Sequence, residues 1–322
     1  KTAWRCIQLG KKFREKLQLA VRNLPLFYFQ TNIVYFPFGG LAAKYLEYIQ
    51  TTDSAVVISL RGSDVHIHPF VYGDYRARLR EALLAADGLH CVCEEIQSKA
   101  TDLVGSSLKI SKVIYTALAP DFLREQTPLH NNREKGSLYR ILSVGRLDWR
   151  KGLEHGLMAA RALAERGVHF RWDIVGEGSH CTALDWAIRD MGLRDQVCLL
   201  GPKPHAEVCE LLQQADVYFH PAVHEGISNS VVEAMALGLP VVACQVGGMP
   251  EAIPSEKFGI LTQPRDWHAM VDALEKFAAD PDMAQRMGAA GSAFVRARFT
   301  AQQQVEGFLH LFEQALGKET AG

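Results

Sequence analysis

The second half of the chain alternates short apolar runs with longer helical patterns. Between the apolar runs, apolar residues recur at helical spacing over 152–166, 180–191, 205–215 and 228–238. The apolar runs, rich in β-branched and aromatic residues, lie at 138–144, 169–175, 196–200, 217–221, 240–244 and 259–263. Regular alternation of strands and helices predicts βαβ units and a parallel sheet with helices on both faces.

The first half repeats this pattern less completely, with one helical stretch followed by four strands. The strand candidates lie at 32–38, 55–60, 89–93 and 112–115. Residues 123–137 are polar and lack periodicity, as is typical of a linker. The pattern therefore predicts an α/β chain with a first domain at 1–122, a second at 138–299, and a cleft between them.

The single helical stretch of the first half, residues 11–24, is basic and amphipathic. Its apolar face carries Phe13, Leu17, Ala20, Val21 and Leu24, and its other face is rich in lysine and arginine. Two interpretations stay open: a helix that covers the first sheet, and a helix that contacts an anionic bilayer or a lipid-linked acceptor.

The composition and net charge of the chain argue against several classes of function. The 322 residues carry a formal net charge of −1, which argues against a nucleic-acid-binding protein. The sequence has no apolar run long enough to span a membrane, and the first residues lack the features of a signal peptide. Seven scattered cysteines favour reduced thiols and a cytoplasmic location.

Candidate chemistry concentrates in residues 216–238, which read as a strand, a polar loop and a helix. Glu225 lies in the loop and Glu233 in the helix, with Ser228, Asn229 and Ser230 at the expected helix start. A helix that starts with such residues presents unpaired backbone N–H groups and a positive dipole end, which suit a phosphate. Eight helical steps span about 12 Å, near the reach of a nucleotide sugar from ribose to hexose.

Five motifs in the second half resemble those of the retaining glycosyltransferases of family 4. They are VGRLDWRKG, IVGEG, LLGPKPHAEV, HPAVHEGISNSVVEAMALGLPVVAC and GGMPEAI, at 144–152, 174–178, 199–208, 220–244 and 247–253. YFPFG and ISLRGSDV match more thinly in the first half. The resemblance implies the GT-B fold, in which two Rossmann-like domains face each other across a cleft. The family's first strand and glycine-rich loop are not found, so we expect the first domain to be incomplete.

The resemblance also implies a donor site. Arg146 and Lys151 correspond to the basic pair on the donor diphosphate, Glu225 to the carboxylate beside the donor sugar, and Glu233 to the carboxylate that holds the ribose. Arg146, Lys151 and Glu225 are the expected catalytic residues. The remaining expected donor-binding residues are Gly145, Gly176, Gly178, Lys203, Gly226, Ile227, Ser228, Asn229 and Ser230.

The first domain departs from the family pattern. Many relatives carry His-Gly-x-Asp after the equivalent strand, whereas this chain has Arg61-Gly62-Ser63-Asp64. An arginine cannot act as a general base, so Arg61 is expected to contact a phosphate or an acidic acceptor. Asp64 has two open roles: it orients Arg61 or a cleft hydroxyl, or it caps the turn.

No metal site is expected. The D-x-D at Asp280–Asp282 precedes a helical run, where Asp280 as N-cap and Pro281 at the first helical position favour capping. His220 and His224 lack further ligands at metal spacing, and His220 is most simply a histidine at the strand end.

These features predict a metal-independent retaining glycosyltransferase that moves a sugar from a nucleoside diphosphate, UDP by preference, to an acceptor hydroxyl in polysaccharide or glycolipid synthesis. We expect no cofactor and no nucleic-acid partner. The expected partners are the nucleotide-sugar donor and a saccharide or lipid-linked acceptor, with the protein in the cytoplasm or at the inner membrane face. The last helix, within 300–322, is expected to cross back to the first domain. The alternatives are a nucleotide-sugar-binding protein without turnover and a GT-B UDP-sugar epimerase.

Overall fold

The computed structural model describes residues 26, 28, 31–106, 108–123 and 137–317. The chain divides into two compact units: unit 1 is Lys1–Tyr115 with Gln302–Gly322, and unit 2 is Thr116–Ala301. The stretch at 11–24 and most of the predicted linker lie outside the described residues. The domain boundaries expected after residues 122 and 299 lie close to these divisions and stay predictions.

Unit 1 is built on a parallel sheet of four strands in the order β1-β2-β3-β4. Its strands are β1 Ile33–Phe36, β2 Ala55–Leu60, β3 Gly88–Cys91 and β4 Ser111–Val113. Its first helices are α1 Gly39–Lys44, α2 Leu46–Ile49, α3 Ser63–His66, α4 His68–Val71, α5 Tyr75–Ala85 and α6 Glu94–Val104. The strands agree with the predicted positions.

The prediction of one helical stretch in the first half was wrong, because helices also connect the strands of unit 1. Helices α2, α3 and α4 have four residues each, too few to show a helical period. Helix α5 has only three buried residues and carries Arg78 toward the protein, where its guanidinium bonds both oxygens of Glu47 at 3.0 Å. An inward arginine interrupts the apolar stripe by which a helix is recognised in a sequence.

Helix α14, Ala301–Ala315, closes one face of the unit 1 sheet. Leu311 is fully buried against Val57 of β2 and Ile114. The ring of Phe308 packs edge-on against Tyr35, at 5.9 Å between ring centroids, and against the imidazole of His90 at 4.6 Å. The end of the chain thereby supplies part of the core of unit 1.

A buried histidine lies under this helix. His90 is 2% exposed; its Nδ1 lies 2.7 Å from the Ser59 hydroxyl and its Nε2 lies 2.9 Å from the Ile114 carbonyl oxygen. Nε2–H donates to the carbonyl and Nδ1 accepts from the hydroxyl, so the neutral ring satisfies both contacts. Burial lowers the pKa of His90 to about 4; the bond to Ile114 opposes this shift and Arg61 adds to it.

This histidine should make the stability of unit 1 depend on pH. The pKa of His90 is lower in the folded state than in the unfolded chain, so the folded state loses stability when the ring is protonated. The free energy of unfolding should therefore be highest above about pH 6.5 and should fall by up to about 3 kcal/mol as the pH drops to about 4. We expect hydrogen exchange at β3 to report this slope in the native protein, and His90→Gln to flatten it. Identical slopes in both proteins would refute the assignment.

Unit 2 contains a parallel sheet of six strands in the order β10-β9-β8-β5-β6-β7. Its strands are β5 Tyr139–Val144, β6 Phe170–Val175, β7 Val197–Gly201, β8 Val217–His220, β9 Val241–Cys244 and β10 Ile260–Thr262. Its helices are α7 Leu153–Glu165, α8 Cys181–Asp190, α9 His205–Gln214, α10 Asn229–Ala236, α11 Met249–Ala252, α12 Trp267–Ala279 and α13 Pro281–Arg298. The predicted βαβ pattern is confirmed. Read from β7, the order is 3-2-1-4-5-6, and it reverses between β5 and β8.

Helix α13 is capped at its start and is bonded near its end to other segments of unit 2. Asp280 caps it by accepting the Met283 N–H at 2.9 Å, with Pro281 in the first turn, so the capping interpretation of the D-x-D is confirmed. Near its end, the Arg296 guanidinium bonds the carbonyl oxygens of Ala236 at 3.0 Å and Phe122 at 2.9 Å.

Within the described part of the chain, no helix is long and apolar enough to cross a bilayer.

Candidate functional site

The reversal of strand order in unit 2 determines where a ligand should bind. Strands β5 and β8 are neighbours, with Ile141 paired to Val217 and Leu142 to Tyr218. The connections that follow them leave on opposite sides of the sheet, so a crevice opens at their carboxyl ends. That crevice is lined by the loop after β5, Gly145–Gly152, and the loop after β8, Pro221–Ser228.

The β5 loop is held in one conformation by local bonds. Asp148 caps a 3₁₀ turn, Trp149–Lys151, by accepting the Arg150 N–H at 3.1 Å, and it also binds the Arg150 guanidinium. Gly152 follows in the left-handed conformation, φ +57°, which glycine adopts without strain. The loop therefore presents Lys151 from a fixed backbone.

The two loops are joined by main-chain bonds. The N–H groups of Val223 and His224 both donate to the Arg150 carbonyl oxygen, at 2.8 and 3.2 Å. A β-carbon added to Gly152 would lie 2.2 Å from the Pro221 carbonyl oxygen. The closeness of the two backbones positions side chains from distant parts of the sequence in the same crevice.

An ionic cluster lies in that crevice. The ammonium of Lys151 pairs with the carboxylate of Glu225, and His220 Nε2 lies 3.2 Å from the same Glu225 oxygen. The Glu225 side chain is only 15% exposed and that of His220 only 4%. Burial favours the neutral acid, but the bond from His220 and the charge of Lys151 lower the pKa of Glu225 to about 2. The carboxylate is therefore charged at any physiological pH.

His220 has the opposite balance. Burial lowers its pKa, the bond to Glu225 raises it, and the Lys151 charge lowers it, with a downward net shift. A neutral imidazole that donates Nε2–H to Glu225 fits this environment. His220 was expected to be simply a histidine at the strand end. Its place at the carboxyl end of β8, next to the loop that carries Glu225, is the signal in the sequence for this contact.

The start of α10 contributes hydrogen-bond donors to the same crevice. Ser228 is the N-cap but makes no side-chain cap bond, and no acceptor within the described residues pairs with the backbone N–H groups from Gly226 to Ser230. Unpaired N–H groups at a helix start are a binding site for an anion. The Ser230 hydroxyl donates to the Val144 carbonyl oxygen at 3.1 Å and accepts from Tyr218 at 2.7 Å, so it ties α10 to β5.

Two of the expected donor-binding glycines pack closely against the β5 loop. A β-carbon at Gly176 would lie 1.8 Å from the Gly145 carbonyl oxygen, and one at Gly178 would lie 2.3 Å from the Leu147 carbonyl oxygen. The resemblance implies that both glycines belong to the donor site. Close packing of the two loops is sufficient to require glycine at both positions.

The remaining expected residues of unit 2 lie outside the ionic cluster. Arg146 is 72% exposed, with its Nε 4.0 Å from Asp148. Lys203 is exposed and pairs with Glu207 at 3.2 Å. Glu233, on α10, is half-buried; burial raises its pKa, and the charge of His205 opposes that shift. The structure thus joins Lys151, Glu225 and the start of α10, whereas Arg146 and Lys203 extend toward solvent.

Arg61 and Asp64 lie in unit 1, in the turn after β2. Asp64 is 5% exposed and accepts backbone N–H groups from Gly39 and Gly62, both at 2.9 Å, and from Arg61 at 3.2 Å. These bonds agree with the turn-capping alternative for Asp64. The Arg61 guanidinium is exposed and stacks over the Phe38 ring at 5.3 Å from the ring centroid.

Comparison with known proteins identifies similar chains. Residues 127–294 match the family "Glycosyl transferases group 1". The amylovoran biosynthesis glycosyltransferase AmsK of Erwinia amylovora is 39% identical over 141 residues, which are 42% of this chain and 35% of that protein. The 2-deoxystreptamine glucosyltransferase of Streptomyces kanamyceticus is 28% identical over 261 residues, 78% of this chain and 66% of that protein. The chain thus spans about a third to two thirds of these relatives.

Among solved structures, Anabaena HepE, in complex with UDP and glucose, is similar with a TM-score of 0.78 and 18% identity. The match covers 93% of this chain and 83% of HepE. A match of this kind concerns the fold, and it confirms the predicted α/β architecture of the GT-B class.

Proposed function

The chain belongs to the glycosyl transferases group 1 family, and from this premise we propose that it transfers a sugar, with retention of configuration and without a metal ion, from a UDP-sugar to an acceptor hydroxyl. The observation that carries the proposal is the cluster of Lys151, Glu225 and the unpaired N–H groups of Gly226–Ser230 at the β5–β8 crevice. The ammonium of Lys151 and the backbone N–H groups suit the negatively charged diphosphate of a nucleotide sugar, and the Glu225 carboxylate suits the hydroxyls of its sugar.

Departure of the nucleoside diphosphate is the step this crevice favours. Negative charge grows on the leaving phosphate oxygens as the bond to the sugar breaks. The Lys151 ammonium and the amides at the α10 start are fixed before the reaction, so they stabilise that charge without reorganising. Arg146, which is exposed on the same loop, is assigned to the outer phosphate oxygens.

The two carboxylates receive different roles in this proposal. Glu225, ionised and held by Lys151 and His220, accepts hydrogen bonds from hydroxyls of the donor sugar. Glu233, half-buried on α10, accepts those of the ribose. UDP is the preferred nucleotide because the similar fold of HepE was solved with UDP and glucose. The relative AmsK, named for amylovoran biosynthesis, supports a role in polysaccharide synthesis.

Calorimetric titration with UDP and GDP, followed by assays of donor turnover, tests this function. We expect UDP to bind more tightly than GDP and the UDP-sugar to release UDP when an acceptor is present. Binding with no release in the presence of saccharide acceptors would support a binding protein instead. Recovery of the donor with an inverted sugar carbon would support an epimerase.

Replacement of Glu233 checks the ribose assignment. We expect Glu233→Ala to weaken UDP binding about tenfold, because a carboxylate that accepts ribose hydroxyls contributes on the order of 1.5 kcal/mol or more. Glu210→Ala, on the exposed side of α9, is the matched control and should leave the affinity unchanged. Unchanged affinity in Glu233→Ala, measured by the same titration, would contradict the role.

A further inference from the structure

Arg61 is an exposed cation at the carboxyl end of β2. Residues 61–64 form the turn after this strand, and the turn is bonded to the loop after β1, whose Gly39 N–H donates to Asp64 at 2.9 Å. Ligands of parallel sheets bind at the carboxyl ends of the strands. Arg61 belongs to unit 1 and is not one of the residues that line the β5–β8 crevice of unit 2. The donor site proposed above therefore does not account for its side chain.

The Arg61 guanidinium is held in one orientation. Its Nε donates to the Pro37 carbonyl oxygen at 3.2 Å, and the group lies over the Phe38 ring, 5.3 Å from the ring centroid. With Nε bonded, the terminal nitrogens Nη1 and Nη2 remain, and their outer N–H bonds are parallel. Two parallel N–H donors match two oxygens of a carboxylate or a phosphate, the geometry that arginine provides and lysine does not.

Arginines that stabilise the fold elsewhere in the chain use all three nitrogens. Arg78 donates from Nε to the Ala43 carbonyl oxygen at 2.9 Å, and from both terminal nitrogens to Glu47 at 3.0 Å. Arg296 donates from its three nitrogens to three backbone carbonyl oxygens. Within the described part of the chain, the Arg61 side chain uses only Nε. A structural role therefore accounts for one nitrogen of Arg61 and leaves the two-donor edge available to a ligand.

No carboxylate among the described residues neutralises this cation. Asp64, in the same turn, already accepts three backbone N–H groups. Of the two glutamates at the start of α6, Glu95 pairs with His66 at 2.8 Å, and neither forms an ion pair with Arg61. The positive charge of Arg61 adds to the effect of burial in lowering the pKa of His90. The turn thus presents a fixed and unneutralised cation.

We propose that Arg61 binds a carboxylate or phosphate group on the saccharide acceptor, so that the protein prefers anionic acceptors to neutral ones. The inference rests on the sugar transfer proposed above and adds the chemical class of the acceptor. Because Nε and the Phe38 ring already fix the guanidinium, little conformational freedom is lost when an oxyanion binds. A neutral hydroxyl would gain less from the same donors, because charge-assisted hydrogen bonds are about twice as strong as neutral ones.

Nuclear magnetic resonance titrations of the full chain, with UDP present, test the inference directly. The probes are methyl glucuronide, glucose 6-phosphate and the neutral methyl glucoside. We expect at least one anionic probe to bind about tenfold more tightly than methyl glucoside and to shift the amide signals of Arg61 and Gly62. Tighter binding of the glucuronide identifies the ligand group as a carboxylate, and tighter binding of glucose 6-phosphate identifies it as a phosphate.

Two substitutions of Arg61 separate its charge from its two-donor geometry. Arg61→Gln should weaken binding of the preferred anionic probe about tenfold and leave that of methyl glucoside unchanged. Arg61→Lys keeps the charge but loses the parallel donors, so it should restore binding of a phosphate in part and of a carboxylate little. Arg80→Gln removes another exposed guanidinium of unit 1 and should behave as the wild type, which makes it the matched control.

Three outcomes would overturn the inference. They are equal affinity of the wild type for all three probes, an Arg61→Gln variant that binds the anionic probe as tightly as the wild type, and amide shifts confined to unit 2. Unchanged amide signals for the strands of unit 1 show that the variants are folded. Absence of sugar transfer despite the expected binding would contradict the proposed function alone, whereas transfer with no preference for anionic acceptors would contradict this inference alone.

Discussion

Lys151→Met is expected to lower kcat for sugar transfer by a factor of about 10²–10³, the usual cost of removing one preorganised group that stabilises transition-state charge. The ammonium of Lys151 faces the crevice where the diphosphate would leave, and the methionine keeps the bulk of the side chain without its charge. The variant also leaves Glu225 charged and mostly buried beside the phosphates, so UDP affinity should fall as well. Steady-state kinetics with a UDP-sugar and calorimetry with UDP measure the two effects.

A double-mutant cycle separates catalysis from the loss of the ion pair. In Lys151→Met with Glu225→Gln, the unpaired buried carboxylate is gone, so UDP affinity should recover in part while kcat stays low. Lys276→Met, on the exposed side of α12, is the control for a lost surface charge and should behave as the wild type. A kcat in Lys151→Met equal to that of the wild type would exclude Lys151 from leaving-group stabilisation.

Gly152→Ala is expected to destabilise unit 2 by more than about 3 kcal/mol, from backbone strain and steric overlap together, and to abolish measurable UDP binding. The left-handed backbone at this position costs an alanine about 1–2 kcal/mol, and its β-carbon would lie 2.2 Å from the Pro221 carbonyl oxygen. The backbone must move to relieve that contact, which separates the two loops that bring Lys151 to Glu225. Urea unfolding and UDP calorimetry measure the two losses.

Gly167→Ala is the matched control for this substitution. Gly167 also has a positive φ, +77°, but a β-carbon there would meet nothing within 4 Å. It should therefore cost only the backbone strain, about 1–2 kcal/mol, and leave UDP binding intact. Equal destabilisation by the two alanines would show that the contact between the loops does not constrain the site.

For two of the expected site residues, the direction of the side chain could not be read from the sequence. Arg146 and Lys151 are expected to act together on the diphosphate; Lys151 lies in the ionic cluster, and Arg146 extends into solvent from the same loop. Asp64, one candidate to contact a hydroxyl, is buried and bonded to three backbone N–H groups. For both residues the side-chain chemistry suits the expected role, but the direction in which the side chain points, which a sequence does not show, determines the contacts that it makes.

Local patterns in the sequence were sufficient to predict the parallel sheet of unit 2 and the edge of that sheet on which the candidate residues lie. Apolar periodicity is a local property, and a strict alternation of strand and helix leaves few arrangements, so the carboxyl-end loops could be assigned before any coordinates were known. The helices of unit 1 could not be predicted in the same way. Four-residue helices are too short to show a helical period, and the apolar face of α5 is interrupted by Arg78, which faces Glu47 instead of water.

The contacts among the residues at that edge follow from the packing of the folded chain. The pairing of Lys151 with Glu225 and the approach of Gly152 to Pro221 join segments about 70 residues apart in sequence. Such contacts depend on strand order, here the placement of β5 beside β8, and no local pattern encodes that order.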